Sequence, residues 1–120
     1  MEIYKLGLVE TKFAEIIWKN EPIPSGELVK LCAKELEWKK PTTYTTLKKL
    51  SERGIFQNKD GIVSSILSKE QYFSMQGQQL VEEAFSGSLP KFLAAFVSRK
   101  DLSTEEIEEI RAIIDKKSEE

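Results

Sequence analysis

The stretch Lys39-Lys40-Pro41-Thr42-Thr43-Tyr44-Thr45-Thr46-Leu47-Lys48-Lys49-Leu50-Ser51-Glu52-Arg53-Gly54-Ile55-Phe56 constrains this chain more than any other. It reads as a helix that ends at a glycine and runs into a strand. A proline is pre-set for a first helical turn, and a glycine supplies the left-handed residue that stops one. Leu47 and Leu50, with Thr43 and Thr46 beside them, mark a packing face. The opposite face carries Thr42, Thr45, Lys48 and Lys49, with Tyr44 at its edge. Hydroxyls, an aromatic ring and ammonium groups in that arrangement suit a helix lying in a DNA major groove, where small polar groups reach base edges and lysines meet phosphates. An ordinary amphipathic helix with a solvated basic face has the same pattern, so the flanking segments decide.

After Gly54 the period changes. Ile55-Phe56-Gln57-Asn58-Lys59, Asp60-Gly61 and Ile62-Val63-Ser64-Ser65-Ile66-Leu67 read as two strands joined by an Asp-Gly hairpin turn. Upstream, Phe13, Ile16, Ile17 and Trp18 have helical spacing within Glu10 to Lys19, and Asn20 ends that run. Glu21-Pro22-Ile23-Pro24 is expected to be an extended connector. Ser25 is expected to cap a second helix whose apolar set is Leu28, Val29, Leu31, Cys32 and Leu36. Three helices followed by a hairpin make a winged helix-turn-helix, the hairpin being the wing.

Composition removes most alternatives. The 120 residues are 40% hydrophobic and 32% charged, as in a soluble globular protein, and they contain no histidine and one cysteine. That takes away the commonest general base and metal ligand, and with them a tetrahedral zinc site. The six glycines are scattered singly, so there is no phosphate-cradling loop. The expectation is a protein that is not an enzyme and needs no metal or cofactor. Cys32 sits among leucines and reads as a buried structural thiol. No apolar run approaches the roughly 20 residues that span a bilayer, and the N-terminus lacks a signal-peptide core. No membrane insertion and a cytoplasmic location are expected.

A formal charge of −2 is unusual for a nucleic-acid binder until the chain is divided. Residues 38–59 carry six basic side chains against Glu52 alone, whereas residues 70–120 carry eleven acidic against six basic. Phosphate attraction follows the local patch. The acidic part is helical in pattern. Ser68-Lys69-Glu70-Gln71 and Ser103-Thr104-Glu105-Glu106 are capping boxes, and Ser88-Leu89-Pro90 opens a short apolar helix between them. These helices carry more large apolar residues than they can bury individually. A dimer interface formed by Leu89, Phe92, Leu93, Phe96, Ile107, Ile110 and Ile114 is the expected sink. The fold class is therefore mostly α with a small β-hairpin: a winged helix-turn-helix over 1–68, then helical dimerisation elements over 69–120.

The chain resembles the penicillinase-repressor family of bacterial transcriptional regulators (the BlaI/MecI/CopY group) over nearly its whole length. The residues that carry the resemblance are Ile17-Trp18, Ser25-Gly26-Glu27-Leu28, Thr45-Thr46-Leu47-Lys48-Lys49-Leu50 and Arg53-Gly54-Ile55. In the C-terminal part they are Phe85-Ser86-Gly87-Ser88-Leu89, Leu93-Ala94-Ala95-Phe96, Leu102-Ser103 and Glu105-Glu106-Ile107-Glu108-Glu109-Ile110. The resemblance implies a homodimeric repressor that binds a dyad-symmetric double-stranded DNA operator and controls a resistance or stress-response operon. In the β-lactam branch it further implies release by a membrane sensor protease, with the cleavage position aligned at Ala95-Phe96; that branch has Asn where this chain has Ala95. The chain ends Asp115-Lys116-Lys117-Ser118-Glu119-Glu120, without the Cys-x-Cys pair of the copper-responsive branch, so copper sensing through that pair is not expected. Val63-Ser64-Ser65 also stands where the family has an aromatic-rich second wing strand.

The roles expected are then specific. Thr42, Thr45 and Lys48 face the major groove, and Tyr44 contacts a thymine methyl. Lys40, Lys49 and Lys59 meet phosphates, as do backbone N–H groups near Ser25 and Gly26. Two other functions compete with this one: a small-molecule-sensing winged-helix regulator whose C-terminal helices enclose a ligand, and a winged-helix adaptor that binds protein, which the pI near 5.4 favours.

Overall fold

The computed structural model describes residues 3–120, so the first two residues of the expected 1–68 domain lie outside the described residues. In chain order the elements are α1 (Leu8–Asn20), β1 (Ile23–Pro24), α2 (Ser25–Leu36), α3 (Lys40–Glu52), β2 (Phe56–Lys59), β3 (Ile62–Ser65), α4 (Lys69–Ala84), α5 (Leu89–Val97) and α6 (Thr104–Ser118). Packing divides the chain into one unit that ends at Gln79 and another that begins at Leu80. This division falls later than the boundary expected at 68/69.

Short-range chemistry sets most element ends in the first unit. Gly54 adopts φ +80°, and the N–H groups of Gly54 and Ile55 donate to the carbonyls of Ser51 and Leu50 at 3.0 and 3.1 Å. This is a Schellman stop, and its characteristic apolar contact is supplied by Leu50 and Ile55, both fully buried. Asp60 and Gly61 take φ +52° and +82°, the two positive values a type I′ hairpin turn requires. β2 then pairs antiparallel with β3, Asn58 opposite Val63 and Lys59 opposite Ile62. At the start of α4, Gln71 and Ser68 exchange hydrogen bonds of 2.9 and 3.0 Å, which is the expected capping box.

Three local expectations fail. The connector Ile23-Pro24 is a strand: it pairs antiparallel with β3, and the sheet has the order β1-β3-β2. Ser25 does not cap α2. Pro24 holds the N-cap position, Ser25 is the first helical residue, and no side chain caps this helix. The Ser25 N–H donates instead to the Gly61 carbonyl at 2.8 Å. The expected second strand also closes sooner, at Ser65, where the Glu21 carboxylate accepts from the Ser65 N–H and hydroxyl at 2.8 and 2.7 Å.

The core of this unit is formed by Phe13, Ile17, Leu28, Cys32, Leu47, Leu50, Ile55, Phe56 and Val63, with Tyr72 brought in from α4. Trp18 lies 5.5 Å from Phe56 and 5.8 Å from Tyr72 between ring centroids, and its indole N–H donates to the Leu67 carbonyl at 3.0 Å. Cys32 is buried, as expected, and burial pushes its thiol up. One polar atom is badly placed. The buried Thr43 hydroxyl faces that thiol, a weak partner, and finds no nitrogen or oxygen partner among the described residues. Thr43→Val removes an uncompensated buried hydroxyl at nearly constant shape and is expected to stabilise the fold by about 1 kcal/mol. A rise in the urea midpoint at unchanged m-value is the expected result, and a fall refutes it.

In the second unit, α5 is capped by Ser88, whose hydroxyl accepts from the Lys91 N–H at 3.2 Å. α6 is opened by a reciprocal Ser103–Glu106 box. Among the described residues neither helix holds a buried side chain. Leu89 is 61% exposed, Ile113 68% and Ile114 55%, so a large apolar surface is left in water.

Candidate nucleic-acid interface

The packing of α3 against α2 and the sheet orients its outer face. Thr43, Leu47 and Leu50 are buried, whereas Thr42, Thr45, Lys48 and Lys49 are exposed. Residues three and four apart share a helix face, so Thr42, Thr45 and Lys49 form one row, with Lys48 alongside. Glu52, the one acidic residue of α3, stands at its C-terminal end. The Thr46 hydroxyl is turned inward along the helix and donates to the Thr42 carbonyl at 2.9 Å.

Tyr44 is half-buried. Its hydroxyl donates to the Ser25 Oγ at 3.0 Å, and the Lys40 ammonium stands over its ring at 5.9 Å. Ser25 therefore connects three elements: its hydroxyl holds Tyr44 of α3, and its N–H holds Gly61 of the wing. That N–H is not available to a phosphate. The next N–H groups of α2, at Gly26 and Glu27, belong to an uncapped first turn. Gly26 is exposed, and a Cβ there would meet nothing within 4 Å, so an incoming group has open access to the backbone. Lys59 is exposed at the wing tip beside Asp60. Lys40, Lys48 and Lys59 form no ion pair among the described residues.

Lys49 is different. Its ammonium lies 3.0 Å from Glu10 Oε2 and 5.4 Å above the Tyr4 ring. The Tyr4 hydroxyl donates to both Glu10 oxygens at 3.0 and 3.2 Å, and the Arg53 guanidinium stacks on the same ring at 4.7 Å. Burial pulls the Glu10 carboxyl upward, but the Gly7 N–H, Lys49 and Tyr4 outweigh it and hold the carboxyl below its ordinary value. Tyr4 and Glu10 together push the Lys49 ammonium above its own. This cluster joins the N-terminal segment, α1 and the end of α3. Its members lie 39 residues or more apart across the α1–α3 pairing, and no sequence motif marks them.

In the second unit, Pro90, Leu93, Ala94, Val97, Leu102, Ile107, Ile110 and Ile114, with Arg111 as the one charged member, line a mainly apolar groove between α5 and α6. This brings four of the expected interface residues together: Leu93, Ile107, Ile110 and Ile114. Phe92 and Phe96 lie off it in an aromatic row with Phe85, at centroid distances of 5.4 and 6.0 Å, and Leu89 is exposed at the start of α5. Ala95 and Phe96 are both exposed within α5, where the Ala95 carbonyl accepts from the Ser98 hydroxyl at 2.7 Å. Among the described residues no group of three or more His, Cys, Asp or Glu could hold a metal ion, and no helix is long and apolar enough to cross a membrane.

Comparison with known proteins agrees with this geometry. The family described as penicillinase repressor matches residues 6–116. The methicillin resistance regulatory protein MecI of Staphylococcus aureus strain Mu50 is 25% identical over 118 residues, covering 95% of this chain and 96% of that protein. The penicillinase repressor of Bacillus licheniformis is 24% identical over 118 residues, covering 95% and 92%, and MecI of Mammaliicoccus sciuri is 24% identical with 95% and 96% covered. With its winged helix-turn-helix and a family match over almost its whole length, the chain belongs to the penicillinase repressor family, which comprises transcriptional repressors and not enzymes.

Proposed function

We propose that the protein acts as a homodimer that binds a dyad-symmetric operator in double-stranded DNA and represses a resistance or stress-response operon. The observation that carries the reading is the outer face of α3. Thr42, Thr45 and Lys48 are exposed there, and Lys40 and the wing's Lys59 are also exposed and form no ion pair among the described residues. Thr42, Thr45 and Lys48 read base edges, with the open edge of Tyr44 against a thymine methyl. Lys40 and Lys59 meet phosphates, and the N–H of Gly26 is the better-supplied donor at the α2 start. Lys49 joins the phosphate set only by leaving Glu10. Two relatives are named for penicillinase repression and methicillin resistance regulation, which supports a resistance operon here.

The apolar groove of α5 and α6 supports twofold assembly, because a dimer reads two half-sites. The same groove is the feature a small-molecule sensor uses, and stabilisation by a metabolite extract favours that second reading. Cleavage between Ala95 and Phe96 by a membrane sensor protease is the release route the family implies. That bond lies inside α5, so this turn of helix must open first.

The test is selection from a random duplex pool, followed by anisotropy binding at several salt concentrations. A dyad motif is expected, with affinity falling steeply as salt rises. Lys59→Ala is expected to weaken binding to all sequences and to flatten the salt slope by about 0.9, whereas Thr45→Ala shifts preference at one base pair per half-site. No enrichment transfers the weight to the protein-interaction adaptor.

A further inference from the structure

We infer that Glu10 withholds Lys49 from DNA and so limits the charge that α3 offers to any duplex. The inference rests on the DNA-binding reading above and concerns how that site is regulated from within. The Glu10 carboxylate is fixed on three sides. The Gly7 N–H donates to Oε1 at 3.0 Å, the Tyr4 hydroxyl bonds both oxygens, and Lys49 Nζ lies 3.0 Å from Oε2. The Glu10 side chain is 20% exposed and that of Lys49 50%, so the acceptor is the anchored member and the cation the mobile one. On α3, Lys49 follows Thr42 by seven residues and Thr45 by four, which puts it on the row assigned to the duplex.

A lysine that approaches a phosphate releases a condensed counterion, and this makes binding strong at low salt and indifferent to sequence. A lysine already neutralised by a fixed carboxylate has to break that pair first, and the remaining carboxylate then repels the phosphate. Withholding one such contact weakens binding to random DNA. Base-edge contacts from Thr42, Thr45 and Lys48 are untouched. The loss falls on operator and random duplex alike, so Glu10 sets the absolute affinity and its salt dependence and leaves the base readout to the other side chains.

Glu10→Gln tests this in the full-length protein. Glutamine still accepts from the Gly7 N–H and the Tyr4 hydroxyl and is accepted in a helix-capping box, so the start of α1 is retained; an unchanged melting curve checks this. Binding to the selected operator and to a random duplex is measured across a salt series. In the wild-type background, Glu10→Gln is expected to steepen the salt slope by about 0.9 and to tighten operator and random-duplex binding at low salt by a similar factor. In a Lys49→Met background, the same change is expected to do neither. A Glu10→Gln effect that survives undiminished without Lys49 is a general charge effect and overturns the inference, as does no effect in either background. Wild-type protein that binds no duplex at low salt overturns the repressor reading itself, and with it the inference, so the two failures are distinct.

Discussion

Ile110→Asp is expected to leave a 13.7 kDa monomer at concentrations where the wild-type chain is expected, on the proposed dimer, to sediment at twice that mass. Ile110 lines the apolar groove with Leu93, Ile107 and Ile114. In a twofold interface the substitution occurs twice, and the two added carboxylates face each other in a seam whose one charged lining residue per chain is Arg111. A buried, unpaired charge costs roughly 3–5 kcal/mol, so the dimer dissociation constant is expected to rise by about a thousandfold or more. Operator affinity falls with it, because linking two half-site contacts is worth roughly 10²–10⁴ in avidity. Sedimentation velocity reads the first effect and anisotropy the second. A stable dimer with aspartate at this position removes the groove from the interface.

Tyr72→Ala is expected to unfold most of the first unit. The ring is 2% exposed and packs within 5.8 Å of Trp18 and 5.1 Å of Phe73, measured between centroids. Its hydroxyl accepts from the Leu6 N–H at 2.8 Å and donates to the Tyr4 carbonyl at 3.0 Å. Losing a buried ring of this size costs about 3–5 kcal/mol, and a stranded Leu6 N–H adds roughly 1–3 kcal/mol. Small domains hold only about 5–15 kcal/mol in total. Tyr72→Phe keeps the ring and is expected to cost only the hydroxyl share, about 1–3 kcal/mol. Denaturation of the two variants side by side separates packing from hydrogen bonding. Equal losses in both refute this division of roles.

Features written in short-range chemistry were legible in the sequence. Proline at the start of α3, Gly54 at its end, the Asp60-Gly61 turn and the Ser68 and Ser103 boxes all work through partners within five residues, and each stands where the sequence puts it. The missed features have distant partners. β1 is two residues long and is a strand only because β3 lies beside it. Ser25 has the composition of an N-cap, but Pro24 takes that position and Tyr44, 19 residues on, takes its hydroxyl. Tyr72 follows a capping box and has the helical spacing of an apolar surface residue, yet its hydrogen-bond partners lie 66 and 68 residues away. In the candidate interface, the exposure of Thr42, Thr45 and Lys48 follows directly from the burial of Leu47 and Leu50. The pairing of Lys49 with Glu10 does not, because it depends on how α1 meets α3.

β1 also changes the mechanics of the hairpin. A wing tethered by one edge alone swings like a hinged flap and must be stilled by whatever it touches. Here β3 is gripped on both edges, the Gly61 carbonyl is fastened to the first turn of α2, and Tyr44 fastens that turn to α3. Lys59 and the exposed side chains of Thr42, Thr45 and Lys48 thus belong to a single stamp, in which these hydrogen bonds set the spacing between wing tip and helix. On the proposed roles of these residues, such a stamp engages without an ordering step, so its tolerance lies in the DNA: a duplex whose grooves do not match that spacing has to deform to be read.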